Sequence, residues 1–158
     1  MALVRDLFAA LEGRGYDLAV AESCTGGGLA AAITDVPGSS RFFLGGVVSY
    51  ANTAKEALLG VSTETLRDHG AVSEPTARAM AEAGRMRLGA SVGISTTGVA
   101  GPDGGTVEKP VGLVYIGVAT PSGTAVRRDV WPGDRAEVRA ATVRAALEFA
   151  LKRVRGEP

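Results

Sequence analysis

One cysteine and one histidine stand in 158 residues, and that scarcity removes several kinds of protein at once. Cys24 has no partner for an intrachain disulfide, so the chain must hold together without staples, the usual pattern of a reducing compartment. A cytoplasmic location is the expectation. A zinc site takes three or four ligands from His, Cys and carboxylates, which Cys24 and His69 alone supply poorly. No metal and no cofactor are expected. Charge of neither sign is in excess: Lys plus Arg and Asp plus Glu each number 17. Nothing therefore drives nonspecific attraction to a polyanion, and nucleic acid is not an expected partner. Long apolar runs are missing too. No stretch approaches the roughly 18 uninterrupted apolar residues of a membrane span. The opening Met1-Ala2-Leu3-Val4-Arg5-Asp6-Leu7-Phe8 breaks its apolar pattern with charge, unlike a signal peptide. Several catalytic signatures are also absent: G-x-x-x-x-G-K-[ST], G-x-S-x-G, H-E-x-x-H and Cys-x-x-Cys.

What is present is an alternation of helix and strand along residues 1–158, one domain's worth of chain, enough to bury about 70% of its unfolded surface. Leu3, Leu7, Ala10 and Leu11 recur at helical spacing until Gly13 and Gly15. A short buried strand is expected over 17–22, a glycine-led helix over about 25–35, a strand over 42–50, and short helices over 53–59 and 64–68. Ser73 predicts an N-cap, with Glu74 in the first turn and Pro75 near the first helical position. A strand over 90–97, a hairpin of 111–120 and 124–131 around Pro121-Ser122-Gly123, and a final amphipathic helix over about 135–154 complete the pattern. The expected fold class is α/β, a single-domain three-layer sandwich with a mixed, largely parallel sheet.

The densest chemistry is Ala21-Glu22-Ser23-Cys24-Thr25-Gly26-Gly27-Gly28, where a strand delivers two nucleophile types into a glycine turn ahead of a helix. Polar side chains at the carboxyl end of such a strand point into the crevice where α/β proteins bind ligands. The amides around Thr25 to Gly27 suit an anion, either a phosphate or the oxyanion of a reacting carbonyl. The plainer alternative is a tight strand-to-helix turn. Ser49-Tyr50-Ala51-Asn52-Thr53-Ala54-Lys55 brings a phenol and an ammonium to a second strand end. Burial disfavours the charged form of a lysine, so Lys55 is a candidate base for Ser23, with Tyr50 orienting or relaying the proton. An exposed helical lysine and a core tyrosine are the alternative. Ser95-Thr96-Thr97-Gly98-Val99-Ala100-Gly101-Pro102-Asp103-Gly104-Gly105 closes a third strand with hydroxyls and a glycine loop. Residue physics leaves Ser23 and Cys24 both open as nucleophile. His69 reads as a helix-end residue rather than a triad base.

Six ordered segments together resemble the CinA carboxyl-terminal domain family of nicotinamide mononucleotide deamidases. They are Ala-Glu-Ser-Cys-Thr-Gly-Gly at 21–27, Ser-Tyr-x-Asn-x-x-Lys at 49–55, His-Gly-Ala-Val-Ser at 69–73, Thr-Gly-x-Ala-Gly-Pro-Asp-Gly-Gly at 97–105, Lys-Pro-Val-Gly at 109–112 and Gly-Asp-Arg at 133–135. The resemblance implies hydrolysis of a nucleotide carboxamide to the acid and ammonia. It implies Ser23 as nucleophile, Lys55 as general base and Tyr50 as supporting hydroxyl, with Thr97 and Arg135 at the substrate pocket. Thr25, Gly26, Gly27, Gly98 and Gly101 are the further substrate-binding candidates, and Asp103 and Lys109 flank the glycine loop. It also implies a small-molecule nucleotide as partner and a homo-oligomer, a dimer. A nucleotide-binding module without turnover and a phosphoryl-transfer enzyme are the alternatives that an ammonia assay separates.

Overall fold

A computed structural model describes residues 1–157. Helix α1 (Ala2–Arg14) buries Val4, Leu7, Phe8 and Leu11 on one stripe and stops at Gly15, whose left-handed φ of 66° closes the C-cap. Strand β1 (Leu18–Glu22) is buried at every position, as the apolar run Leu18 to Ala21 facing helices on both sides must be, and it ends in the buried acid Glu22. It pairs in parallel with β2 (Phe43–Val48) on one side and with β3 (Val92–Gly98) on the other. Strands β4 (Leu113–Thr120) and β5 (Gly123–Val130) continue the sheet in antiparallel fashion, giving the order β2-β1-β3-β4-β5. The sheet is mixed, as expected, and it divides cleanly. Its parallel part carries the site, while the antiparallel hairpin closes the core. Thr120 pairs directly with Gly123, so the hairpin turn is Pro121-Ser122.

Helices α2 (Gly28–Thr34) and α6 (Arg135–Arg155) join α1 on one face, and α3 (Asn52–Leu59), α4 (Thr63–His69) and α5 (Glu74–Leu88) cover the other. The larger core joins Leu7, Leu11, Leu29, Ile33, Ile94 and Ile116. The smaller one joins Ala21, Leu59, Leu66 and Met80. Helix α5 approaches the sheet so closely that a side chain at Gly93 would collide with the Ala81 carbonyl. Ser73 caps it as expected, accepting from the Thr76 amide at 3.3 Å, and Asp134 with Glu137 forms a capping box on α6. No helix among the described residues is long and apolar enough to cross a membrane. Because β1, β2 and β3 run parallel, Glu22, Val48 and Gly98 end at one edge of the sheet, and the loops that follow them meet there.

Candidate active site

The hydrogen-bond ladder of the sheet runs one residue past β1 on each side. The Ser23 amide donates to the Thr96 carbonyl at 2.9 Å, and the Ser49 amide donates to the Glu22 carbonyl at 2.8 Å. Both segments that matter are thereby held by the sheet rather than by flexible loop. From Ser23 the chain makes two successive turns. The Gly26 amide donates to the Ser23 carbonyl at 3.0 Å, and with φ negative at Cys24 and Thr25 this turn is type I. The Gly28 amide then donates to the Thr25 carbonyl at 3.0 Å, with φ of 57° at Gly26 and 96° at Gly27. Two positive φ values make a type I′ turn, which L side chains resist. The pair of turns is why α2 begins at Gly28 rather than near residue 25.

The anion at this glycine turn belongs to the chain itself. Glu22 is fully buried, and one carboxylate oxygen accepts from the Thr25 hydroxyl at 2.5 Å and from the Gly27 and Leu29 amides at 3.1 and 3.0 Å. The other accepts from the Ala30 amide at 2.9 Å. Since a carboxylate only accepts, the Thr25 hydroxyl donates to it and must in turn accept from Thr96, 2.7 Å away. The expectation for Thr25, Gly26 and Gly27 is corrected accordingly. Thr25 is sealed inside, the Gly26 and Gly27 amides are spent on Ser23 and Glu22, and none of the three lines the cavity beside Ser23. Glu22 satisfies the amides that were expected to hold a ligand.

Lys55 lies one turn into α3, and its side chain is 1% exposed. Its Nζ is 2.9 Å from Ser23 Oγ, 2.8 Å from the Ser49 carbonyl and 3.3 Å from the Tyr50 carbonyl. No ion pair among the described residues includes it. Burial without a countercharge pushes the Lys55 ammonium below the ordinary lysine range. Next to it the Cys24 thiol packs with Val114 and Val138, and burial pushes it up to about 11. The two neighbours that residue chemistry left level thus have opposite surroundings: an amine faces the hydroxyl, and an apolar cluster surrounds the thiol.

The expected role of Tyr50 is corrected. Tyr50 is 58% exposed and lines the cavity beside Ser23 and Lys55, but its hydroxyl accepts from Arg135 Nη2 at 2.8 Å and makes no hydrogen bond to Ser23 or Lys55. What it gives the amine is its main-chain carbonyl. Arg135, at the start of α6, also donates from Nη1 to the Gly101 carbonyl at 3.0 Å, tying the glycine loop to the rim. Thr97, Gly98, Gly101 and Arg135 line the cavity of about 280 Å³ that opens on Ser23 and Lys55. The Thr97 hydroxyl donates to the Ala71 carbonyl at 2.7 Å, which leaves its oxygen free to accept. Asp103 is also on this wall, whereas Lys109 donates to the His69 carbonyl at 2.6 Å. His69 is the exposed last residue of α4, in keeping with a helix-end role, although a lysine and not its own ring meets that carbonyl. A wider groove of about 660 Å³ shares Ala100 and Arg135 with the cavity.

Two residues of consequence carried no assigned role in the sequence. The buried Glu22 was legible in principle, because an acid ending an apolar strand must be paired somewhere. Arg139 donates from Nε and Nη2 to the Cys24 and Thr25 carbonyls at 3.2 and 2.8 Å. It falls four residues after Arg135, hence on the same face of α6, and that spacing was its only signal.

These features define a class: a three-layer α/β domain whose parallel strand ends hold a serine against a buried, unpaired lysine. The chain belongs to the CinA C-terminal domain family, whose model matches residues 1–154. It is 60% identical over 113 residues to a CinA-like protein of Prochlorococcus marinus, covering 72% of this chain and 26% of that one. With a CinA-like protein of Synechococcus it shares 56% identity over 127 residues, covering 80% and 30%. The chain spans roughly a quarter to a third of the length of such curated relatives, 26 to 35%. Among solved structures it is similar to the competence/damage inducible protein CihA of Agrobacterium tumefaciens, with a TM-score of 0.91, 42% identity and coverage of 96% and 94%. The competence damage-inducible protein A (ComA) of Klebsiella pneumoniae matches with a TM-score of 0.93 and 36% identity, covering 98% and 96%.

Proposed function

We propose that this chain is an amidohydrolase that removes ammonia from the carboxamide of nicotinamide mononucleotide, leaving the nicotinate nucleotide for pyridine nucleotide salvage. The observation that carries this reading is the buried Lys55 amine, 2.9 Å from Ser23 Oγ in a cavity of about 280 Å³. A neutral amine has two N–H groups and one lone pair. The carbonyls of Ser49 and Tyr50 accept the two N–H groups, and the lone pair is left to receive the Ser23 proton.

Ser23 Oγ attacks the amide carbon as its proton passes to Lys55 Nζ. The carbonyl electrons move onto oxygen and return as the C–N bond breaks, while Lys55 protonates the departing nitrogen so that it leaves as ammonia. Water then loses a proton to Lys55 and attacks the ester on Ser23, and the acid leaves as Ser23 regains its proton. The cavity suits the ring, and the adjoining groove has room for ribose and phosphate. Arg135 stands where the two meet and offers a planar guanidinium to an oxyanion. The same reading takes the small-molecule nucleotide as the partner and a homodimer as the assembly.

The test is ammonia release from the mononucleotide by the purified protein and two variants. Ser23→Ala abolishes it, and Cys24→Ala keeps most of it. The reverse pattern moves the nucleophile to the thiol, and binding without ammonia makes the domain a nucleotide-binding module.

A further inference from the structure

Arg135 and Arg139 stand one turn apart on the same face of α6, and each is fixed by neutral acceptors only. Arg135 donates to the Gly101 carbonyl and the Tyr50 hydroxyl, and Arg139 donates to the Cys24 and Thr25 carbonyls. Among the described residues neither joins an ion pair. Arg135 Nε and Arg139 Nη1 have no acceptor there either, and Nη1 of the half-buried Arg139 is not sealed from solvent. Both guanidiniums line the groove of about 660 Å³, but only Arg135 also lines the cavity beside Ser23. The one carboxylate on the groove wall, Asp134, accepts from the Glu137 amide at 2.9 Å in the α6 cap. Ala100, Pro102 and Val111 add an apolar wall. Two like charges one turn apart repel, so guanidiniums held in place without countercharge form a ready-made receptor for a dianion.

We propose that Arg139, with Arg135, binds the terminal phosphate monoester of the substrate, and that Arg139 thereby makes the site select the mononucleotide over the riboside that lacks the phosphate. This rests on the amidohydrolase reading above. The reacting carboxamide is at Ser23 in the cavity, and ring, ribose and phosphate follow one another outward, so the phosphate falls in the groove where Arg139 stands and Ser23 does not. A phosphate monoester carries close to two negative charges near neutral pH, which matches two guanidiniums opposed by one capped carboxylate. Arg139 Nη1 donates to a phosphate oxygen while Nε and Nη2 keep the main-chain carbonyls that aim it. The apolar wall keeps the ion pair from being fully screened.

The experiment compares wild type, Arg139→Ala and Arg139→Lys in two readouts. One is the ratio of kcat/KM for ammonia release from the mononucleotide to that from nicotinamide riboside. The other is the Kd of ribose 5-phosphate by titration calorimetry, which needs no turnover. Losing a hydrogen bond to a charged group costs about 10- to 100-fold, and Arg139→Ala is expected to lower the ratio and weaken ribose 5-phosphate by that factor. Arg139→Lys keeps the charge without the planar fork and recovers part of both. The ratio separates this role from a brace on the Ser23 turn, because a disturbed turn slows both substrates alike. A ratio and a Kd within about twofold of wild type would overturn the proposal, even where both rates or Tm fall. Should Arg139→Ala fail to fold, Arg139→Lys carries the same comparison under the same criterion. A wild type that binds ribose 5-phosphate, weakens on Arg139 replacement and yet releases no ammonia leaves the phosphate subsite standing and refutes the amidohydrolase reading. Ammonia release with no response of ratio or Kd to Arg139 keeps that reading and refutes the subsite, and a wild type that neither binds nor releases refutes both.

Discussion

Replacing Glu22 with glutamine changes one oxygen for an NH2 group and nothing in volume, yet it should be among the costliest single substitutions in the chain. The carboxylate accepts four hydrogen bonds, from Thr25, Gly27, Leu29 and Ala30, with no exposure to water. In its better orientation, glutamine puts its carbonyl where three donors converge and its NH2 against the Ala30 amide. One charge-assisted bond is lost, worth about 1.5–3 kcal/mol, and two donors now face each other. The three remaining bonds lose their ionic character, and the start of α2 loses a negative charge worth up to about 1 kcal/mol. The sum is about 3–5 kcal/mol against a total stability of about 5–15 kcal/mol. For a domain of this size that corresponds to a fall in Tm of roughly 6–20 °C. Urea unfolding followed by circular dichroism reads it directly, with Glu22→Asp as a companion that keeps the charge but shortens its reach. A loss below about 1 kcal/mol for Glu22→Gln would refute the view that this carboxylate organises the turn.

Four further outcomes are expected. If Lys55 acts as a neutral base, kcat/KM rises with pH along an acid limb whose midpoint lies below the ordinary lysine value of 10.5, and a profile with its midpoint at 10.5 would contradict burial as the cause. The stability linkage has the same sign. Folded Lys55 binds fewer protons than unfolded Lys55 between its lowered pKa and 10.5, so its penalty is largest below that window and shrinks as pH rises through it, measurable as Tm against pH in wild type and Lys55→Met. Tyr50→Phe removes only the bond to Arg135, so kcat should fall less than about tenfold, whereas a proton relay would cost about 10²- to 10⁴-fold. Gly27→Ala forces a side chain to φ 96° in the type I′ turn and should destabilise by about 1–2 kcal/mol in urea, with the loss transmitted to Ser23 as lower kcat.

Much of the fold was legible in the order of residues because its signals are local. The apolar run of β1, the cap at Ser73 and the hairpin turn around Pro121-Ser122-Gly123 each depend on neighbours within a few positions. The start of α2 was misplaced by about three residues because two consecutive glycine-dependent turns look, in sequence, like one loose helix start. Within the site, Ser23 and Lys55 could be nominated from their settings at strand ends. The sequence cannot say which way a side chain at a rim points, and the structure turns the Tyr50 hydroxyl to Arg135 rather than to the Ser23 proton.

What the sequence determined by itself is the list of parts: alternating elements, a serine after a buried strand, a lysine one turn into a helix, and glycines where φ must be positive. Only the tertiary structure decided who meets whom across 32, 71 or 115 positions, in the pairs Lys55 with Ser23, Thr25 with Thr96, and Arg139 with Cys24. The reason is physical. A residue's conformational preference is set by its immediate neighbours, but burial of Lys55 without a countercharge, and capture of the glycine turn by Glu22, arise only when parallel strands lay their ends side by side and helices close over them.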